Sequence, residues 1–297
     1  MRPISGSFPF TDENGTVWLA YVDWGVRKRG RVVVCAHGIT RQGRDFDSLA
    51  QSLSSDFQAI LIDVAGRGRS GWLADKTAYT FDTYLRHVHG LMDYRGISAM
   101  DWVGTSMGGV MGMLLAAEED SPIKRLVLND VGPFIPGAAL AGIGDYIGAN
   151  PRFPNLQAAC DYLRKVHAGS GDLTEADWSE MTTHSVTREA DGGYVLHYDP
   201  AIGDPFKQAV GDVDLWAVYD QIKCPVLVLR GAESEILTAE TAREMTRRGA
   251  AAELVEIAGC GHAPALRDEE QIGIVHEWLA RGIDDDEGDA EDASARG

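Results

Sequence analysis

Gly104-Thr105-Ser106-Met107-Gly108 sets a serine between two glycines, after the run Met100-Asp101-Trp102-Val103 and before the apolar stretch Val110-Met111-Gly112-Met113-Leu114-Leu115. A serine hydroxyl becomes a useful nucleophile when a neighbouring base takes its proton and its backbone lifts it clear of the surface. A sharp strand-to-helix turn does the lifting, and flanking glycines remove the Cβ atoms that would collide with the adjoining strand and helix. The first amide of the following helix, that of Met107, then points at charge developing on an attacked carbonyl oxygen. A partner amide is expected from Ile39, in His37-Gly38-Ile39-Thr40, where the strand Val32–Ala36 ends and a glycine lets the chain turn inward. His37 and Gly38 are candidate substrate contacts in this loop. His37 itself reads as a hydrogen-bonding residue that orients the turn rather than as a proton carrier.

The base should stand on a loop after the last strand. His262, in Gly259-Cys260-Gly261-His262-Ala263-Pro264, follows the strand Glu253–Ile257 and sits among small residues that pack poorly as core. Three carboxylates compete as the group that would hold its tautomer and stabilise its cation. Glu233 and Glu235 follow the strand Pro225–Leu229, whereas Asp130 ends the strand Leu126–Leu128.

These groups need a frame that brings strand ends together. From Arg31 onward, short β-branched runs at 32–36, 59–62, 100–103, 126–128, 225–229 and 253–257 alternate with amphipathic stretches near 45–55, 80–95, 107–119, 238–248 and 268–281. That alternation predicts a parallel sheet with crossover helices. An earlier alternating segment, Thr16 to Trp24, is expected to pair antiparallel at one edge. Between Gly132 and Trp216 no clear strand appears. Helical patterns at 155–167 and 174–184 there predict a mostly helical cap, because structureless stretches of that length are uncommon in compact domains. Its aromatics, Phe134 and Trp178 among them with Tyr146, Phe153, Tyr162, Tyr194, Tyr198 and Phe206, either line an apolar acyl or alcohol pocket or form the cap's own core.

Composition sets the outer bounds. The 297 residues, 44% hydrophobic and 24% charged, suffice for one large domain with an insertion. A net charge of −18 argues against general nucleic-acid or anionic-membrane binding and favours a neutral or cationic small molecule. Four cysteines, at 35, 160, 224 and 260, form no metal-like spacing and read as reduced thiols. With no signal-like start and no apolar run long enough to span a bilayer, the expectation is a cytoplasmic protein. Residues 283–297 carry seven acids and one arginine, the composition of a disordered tail.

Together, the HG pair at 37–38, the GxSxG string around Ser106 and the GH pair at 261–262 resemble the serine hydrolases of the α/β-hydrolase fold, esterase-like members in particular, over residues 16 to 282. Asp63-Val64-Ala65-Gly66-Arg67-Gly68-Arg69-Ser70 is similar to the D-x-x-G-x-G-x-S loop of such esterases. The resemblance implies a mostly parallel sheet of about eight strands with flanking helices and a helical cap after strand 6. Residues 1–132 and 217–282 would then form the core and 133–216 the cap. The family's usual acid position is filled here by Ser234, so the acid shifts to Glu235 or to Asp130. Asp130 is preferred, as the shorter and commoner type of triad acid, 24 residues past the nucleophile. The implied activity is hydrolysis of a carboxylic ester, or a related acyl bond, of a small to medium apolar substrate through an acyl-enzyme, with no metal or organic cofactor. Carbon–carbon bond hydrolysis, cofactor-free perhydrolysis and a silent ligand receptor are the rival readings on the same fold.

Overall fold

The computed structural model describes residues 2–13, 15–25, 31–144, 146–207 and 211–294, with 282–294 as backbone only. An antiparallel hairpin of β1 (Ile4–Asp12) and β2 (Gly15–Trp24) opens the chain. The alternating part follows as β3 (Val32–Ala36), α1 (Asp47–Leu53), β4 (Gln58–Ile62), α2 (Phe81–Arg95), β5 (Met100–Thr105), α3 (Met107–Ala116) and β6 (Ile123–Asn129). An inserted segment comes next. It holds β7 (Phe134–Ile135), α4 (Gly137–Gly144), β8 (Arg152–Phe153), α5 (Leu156–Val166), α6 (Glu175–Ser185), β9 (Val186–Arg188), β10 (Tyr194–Leu196), β11 (Val213–Asp214) and α7 (Trp216–Tyr219). The alternation then resumes with β12 (Val226–Gly231), α8 (Ala239–Met245), β13 (Glu253–Ile257) and α9 (Glu269–Ser294).

One sheet of eight strands, in the order β1-β2-β4-β3-β5-β6-β12-β13, forms the frame. Its members from β4 to β13 run parallel, and β2 joins β4 antiparallel. Strands covered on both faces read as unbroken apolar runs, and all five residues of β3 and of β4 are buried. Alternate residues feed opposite faces. Val32, Val34 and Ala36 pack with Trp102, Met111 and Leu126, while Val33 and Cys35 pack with Leu49, Leu53, Trp278 and Leu279. Each such aliphatic side chain contributes about 1.5–3 kcal/mol by leaving water. Helix α3 runs beneath the sheet centre and buries nine of its ten residues, which explains why it is apolar all round. Helix α2 is bounded as its sequence suggests: the Thr80 hydroxyl caps the Thr83 amide, and Gly96, at φ 60°, ends it in the left-handed conformation.

Three features depart from the pattern read in the sequence. The sheet edge belongs to β1 rather than to the Thr16–Trp24 strand, which lies one position inside. Ile4–Asp12 carries Gly, Ser and Pro, and Phe8 is its one buried residue, so its period-2 signal is weak. The inserted segment is mostly helical, as read, but beside its helices it also holds a small sheet β8-β10-β9 and the pair β11-β7. Those strands are two or three residues long, too short for periodicity to declare them. Finally, α9 carries its helical backbone to Ser294, through most of the acidic segment read as disordered; residues 295–297 lie outside the described residues. Ile272, Ile274, Val275, Trp278, Leu279 and Ala280 dock its first half against the sheet, and a helix once started extends at low cost. Among the described residues no helix is long and apolar enough to cross a membrane, and the four cysteines are free thiols.

Candidate active site

Ser106 sits between β5 and α3 with φ 53° and ψ −117°, a left-handed backbone that costs a non-glycine residue about 1–3 kcal/mol. Close packing on both sides holds it there. A Cβ at Gly104 would lie 2.3 Å from the Gly108 carbonyl oxygen, and one at Gly108 would lie 2.0 Å from that of Ala36. The two glycines let strand, turn and helix close on one another. The Ser106 amide donates to Asn129 O at 3.1 Å, which ties the turn to the end of the neighbouring strand β6.

Asp130 is the next residue after β6 and also adopts a positive φ, 55°. Its amide continues the ladder by donating to Leu229 O at 2.8 Å. The carboxylate is fully buried and engaged on every side. Gly231 N–H donates to Oδ1 at 2.8 Å and the Ser234 hydroxyl to Oδ2 at 2.6 Å. His262 Nδ1 lies 2.7 Å from the same Oδ2, and His262 Nε2 lies 2.9 Å from Ser106 Oγ. Acid, imidazole and hydroxyl therefore form one continuous chain of hydrogen bonds. With Nδ1–H donating to the carboxylate, Nε2 is the free acceptor facing the hydroxyl. Glu233 and Glu235 are exposed and stand outside this chain. Ser234 stands between them and supports the Asp130 carboxylate from the neighbouring strand end.

The His262 loop is pinned from three directions. Asn129 Nδ2 donates to Pro264 O at 2.8 Å, Gly261 N–H donates to Gly169 O in the inserted segment at 2.8 Å, and Glu233 N–H donates to Cys260 O at 2.8 Å. A Cβ at Gly231 would meet the Gly261 carbonyl oxygen at 2.1 Å, so glycine is what lets this loop cross the end of β12.

The loop after β3 approaches from the other side. A Cβ at Gly38 would stand 3.7 Å from Ser106 Cβ, which places the Ile39 turn against Ser106. Met107 opens α3, where its amide has no intrahelical acceptor. Arg67, 1% exposed, braces both residues. Its Nε–H donates to Ile39 O at 2.9 Å, Nη2 approaches Met107 Sδ at 3.7 Å, and Nη1 donates to Ala65 O and to the Tyr84 hydroxyl, each at 2.8 Å. The guanidinium also lies over the rings of Tyr79 and Tyr84. Asp63 begins the Gly-rich loop that carries Arg67 and accepts from the amides of Gly43 and Arg69. Burial pushes its carboxyl up to about 6 in spite of those bonds.

His37 is 1% exposed and uses both ring nitrogens on the backbone. Val64 N–H donates to Nε2 at 3.0 Å, so the proton stays on Nδ1, which donates to Gly38 O at 2.7 Å. Burial above all pushes this ring down to about 4, leaving it neutral and tied to the loop. His37 borders the cavity described below with both ring nitrogens already engaged.

Ser106 and His262 open onto a cavity of about 100 Å³ bordered by the loop after β3 and by the inserted segment through Ile143, Tyr146, Val166, His167, Ser170 and Met181. Gly38 borders it; Phe134 and Trp178, expected there, do not. Phe134 pairs across the short ladder β7/β11, and Trp178 is buried under the Arg164 guanidinium in the inserted segment's own core. The cavity is also more polar than expected. Thr40, Arg41, Asp45, His167 and Arg267 share it with the apolar side chains. These were not singled out in the sequence, where Arg41 and Arg267 look like ordinary surface cations; their positions a few residues past His37 and His262 were the available signal. Burial pushes His167 down to about 3, so it too is neutral. Nearby, Asp47, Glu180 and His184 bring ligand atoms within 4.8 Å of one another. Two of them already have cationic partners, since Asp47 accepts from Arg44 and Glu180 from Arg267.

Comparison with known proteins gives consistent results. The family model of the alpha/beta hydrolase fold matches residues 31–268. A 3-hydroxybutyrate-oligomer hydrolase of Cupriavidus necator is 40% identical over 88% of this chain and 92% of its own length. A crystal structure assigned as a hydrolase from Rickettsia typhi superposes with a TM-score of 0.87 at 36% identity, covering 95% of this chain and 99% of that one. An alpha/beta hydrolase from Novosphingobium aromaticivorans gives a TM-score of 0.84 at 33% identity over 93% and 98% of the two chains.

Proposed function

The chain belongs to the α/β-hydrolase fold family, and on that premise we propose that it is a serine hydrolase that cleaves carboxylic esters through an acyl-enzyme, with short hydroxyalkanoate esters as its substrate class. The observation that carries this reading is the unbroken hydrogen-bond chain from Asp130 through His262 to Ser106, at 2.7 and 2.9 Å. The substrate class rests on the 40% identity to a 3-hydroxybutyrate-oligomer hydrolase and on a small cavity with polar groups among apolar ones.

In this mechanism Ser106 Oγ attacks the ester carbonyl while His262 Nε2 takes its proton. Asp130 holds the ring by Nδ1 and stabilises the imidazolium, and the amides of Ile39 and Met107 receive the oxyanion. Collapse breaks the carbon–oxygen bond to the alcohol, which leaves with the proton from His262. Water then attacks the acyl-enzyme, gives a proton to His262, and releases the acid as Ser106 recovers its hydrogen. Segment 133–216 acts as the cap, walling the cavity and supporting the base through the Gly169–Gly261 bond.

Initial rates on p-nitrophenyl esters of increasing acyl length, with a 3-hydroxybutyrate dimer alongside, test the reading. Turnover is expected on the dimer and on the shortest acyl chains, falling as the chain outgrows the cavity. Absence of turnover on every ester overturns it.

A further inference from the structure

Two arginines border the cavity, and their hydrogen bonding differs. Arg41 is closed: Nε and Nη2 donate to the two oxygens of Asp45 at 2.8 and 2.6 Å, and Nη1 donates to Ser185 Oγ at 2.9 Å. Arg41 and Asp45 thus neutralise each other. Arg267 is half open. Its Nη1 donates to Glu180 at 3.0 Å and to Asp177 at 3.4 Å, while among the described residues Nε and Nη2 have no acceptor. The side chain is only 4% exposed and borders the same cavity as Ser106. Its two hydrogen-bonded acidic partners stand toward solvent, with side chains 41% and 25% exposed, so water screens them, and the pull of Asp45, which lines the same cavity, is shared with the Arg41 guanidinium that closes on both of its oxygens. The histidines His37 and His167 add no charge, since burial keeps both neutral.

We propose that the Nε/Nη2 edge of Arg267 is a carboxylate-binding subsite that holds the free acid end of the substrate in the cavity onto which Ser106 opens. The two N–H groups on this side of a guanidinium are parallel donors spaced to match the two oxygens of a carboxylate. On the cavity lining such a donor edge can exchange water for a carboxylate. The anchor is rigid at both ends. Nη1 is tied to α6, and the backbone just before Arg267 is fixed by Leu266 N–H donating to Gln271 Oε1 at 2.8 Å. The chain would then prefer esters that carry a free carboxylate, such as an oligomer of hydroxy acids, to neutral esters of equal size. This inference rests on the ester reading above and specifies which end of such a substrate is recognised.

The test compares 3-hydroxybutyrate with its neutral amide, 3-hydroxybutyramide, as competitive inhibitors of p-nitrophenyl acetate hydrolysis. The wild-type protein is expected to bind the acid at least about tenfold more tightly than the amide, the scale of one charge-assisted hydrogen-bonded pair. Arg267→Gln should erase that difference by weakening the acid alone, and Arg267→Lys should restore part of it. Equal inhibition by acid and amide in the wild type overturns the proposal without any variant being needed. So does an Arg267→Gln protein in which both inhibitors weaken alike. Should no ester turn over, the ester reading falls by itself, and calorimetric titration of the same two ligands decides the carboxylate site by the same criterion.

Discussion

His37 and His262 each follow a parallel strand of one sheet and each border the same cavity, yet their hydrogen bonds divide them. Both ring nitrogens of His37 meet backbone groups of its own side of the sheet, whereas those of His262 meet a carboxylate and a hydroxyl from two other strand ends. A backbone amide and carbonyl fix one tautomer and give the proton nowhere to go. A carboxylate and a hydroxyl leave the ring able to gain a proton at Nε2 and return it. Position at a strand end therefore does not make a histidine a base; the partners of its two nitrogens do.

The sharpest way to break this comparison is to remove the working pair. Ser106→Ala and His262→Ala should each lower kcat by about 10⁴–10⁶, the two losses failing to add, because nucleophile and base act as a unit. Thermal midpoints should stay near wild type, and a fully active variant of either kind would sink the assignment. Asp130→Asn should cost up to about 10⁴ in kcat, since an amide admits the wrong imidazole tautomer. Steady-state kinetics should show a smaller loss for Ser234→Ala, which removes one of the donors to that carboxylate, and almost none for exposed Glu235→Gln. If Glu235→Gln lost more than Asp130→Asn, the acid would lie after β12 instead.

His37 should answer to a different assay. His37→Ala strands the Val64 amide and the Gly38 carbonyl in the interior, and about 2–4 kcal/mol of stability should go with them. Urea unfolding measures that loss, while the activity remaining should keep the wild-type pH profile. The smallest effect is a pH dependence of stability. The folded His37 is held, chiefly by burial, down at about 4 against an ordinary 6.5. Its contribution is complete above pH 6.5 and fades as the pH drops toward 4, because the unfolded chain then takes up a proton that the folded ring does not. The stability gap between wild type and His37→Asn should narrow by about 2 kcal/mol between pH 7 and pH 5. A gap that widened toward acid would mean that the folded ring is charged.

What could be read from residue types alone follows from how many constraints each position carries. Gly104 and Gly108 are fixed by backbone collisions that admit no side chain, and the β-branched runs are fixed by burial on both faces, so both were legible. Asp130 remained one of three candidates, since the choice depends on which carboxylate meets Nδ1, a contact between positions 132 apart. The inserted segment was hardest to read. Its strands are brief, and aromatics such as Trp178 turn inward to make a core of their own, so periodicity gave its helices but neither its small sheets nor its contribution to the cavity. Arg267 was invisible for a related reason: a cation near the end of a chain is ordinary until a cavity gives it one closed side and one open one.

The order in which the sheet is assembled has a bearing on biosynthesis. A chain made from its N-terminus has Ser106 and Asp130 at hand once β5 and β6 exist, but β12, which separates Asp130 from the base and supplies the Gly231 amide, comes only after the whole insertion. His262 follows later still, just ahead of the closing helix. Every chain that stops before residue 262, whether nascent on a ribosome or left by premature termination, carries Ser106 without His262. Under the proposed mechanism such unfinished copies are hydrolytically silent, and activity waits on the arrival of the last strand and loop.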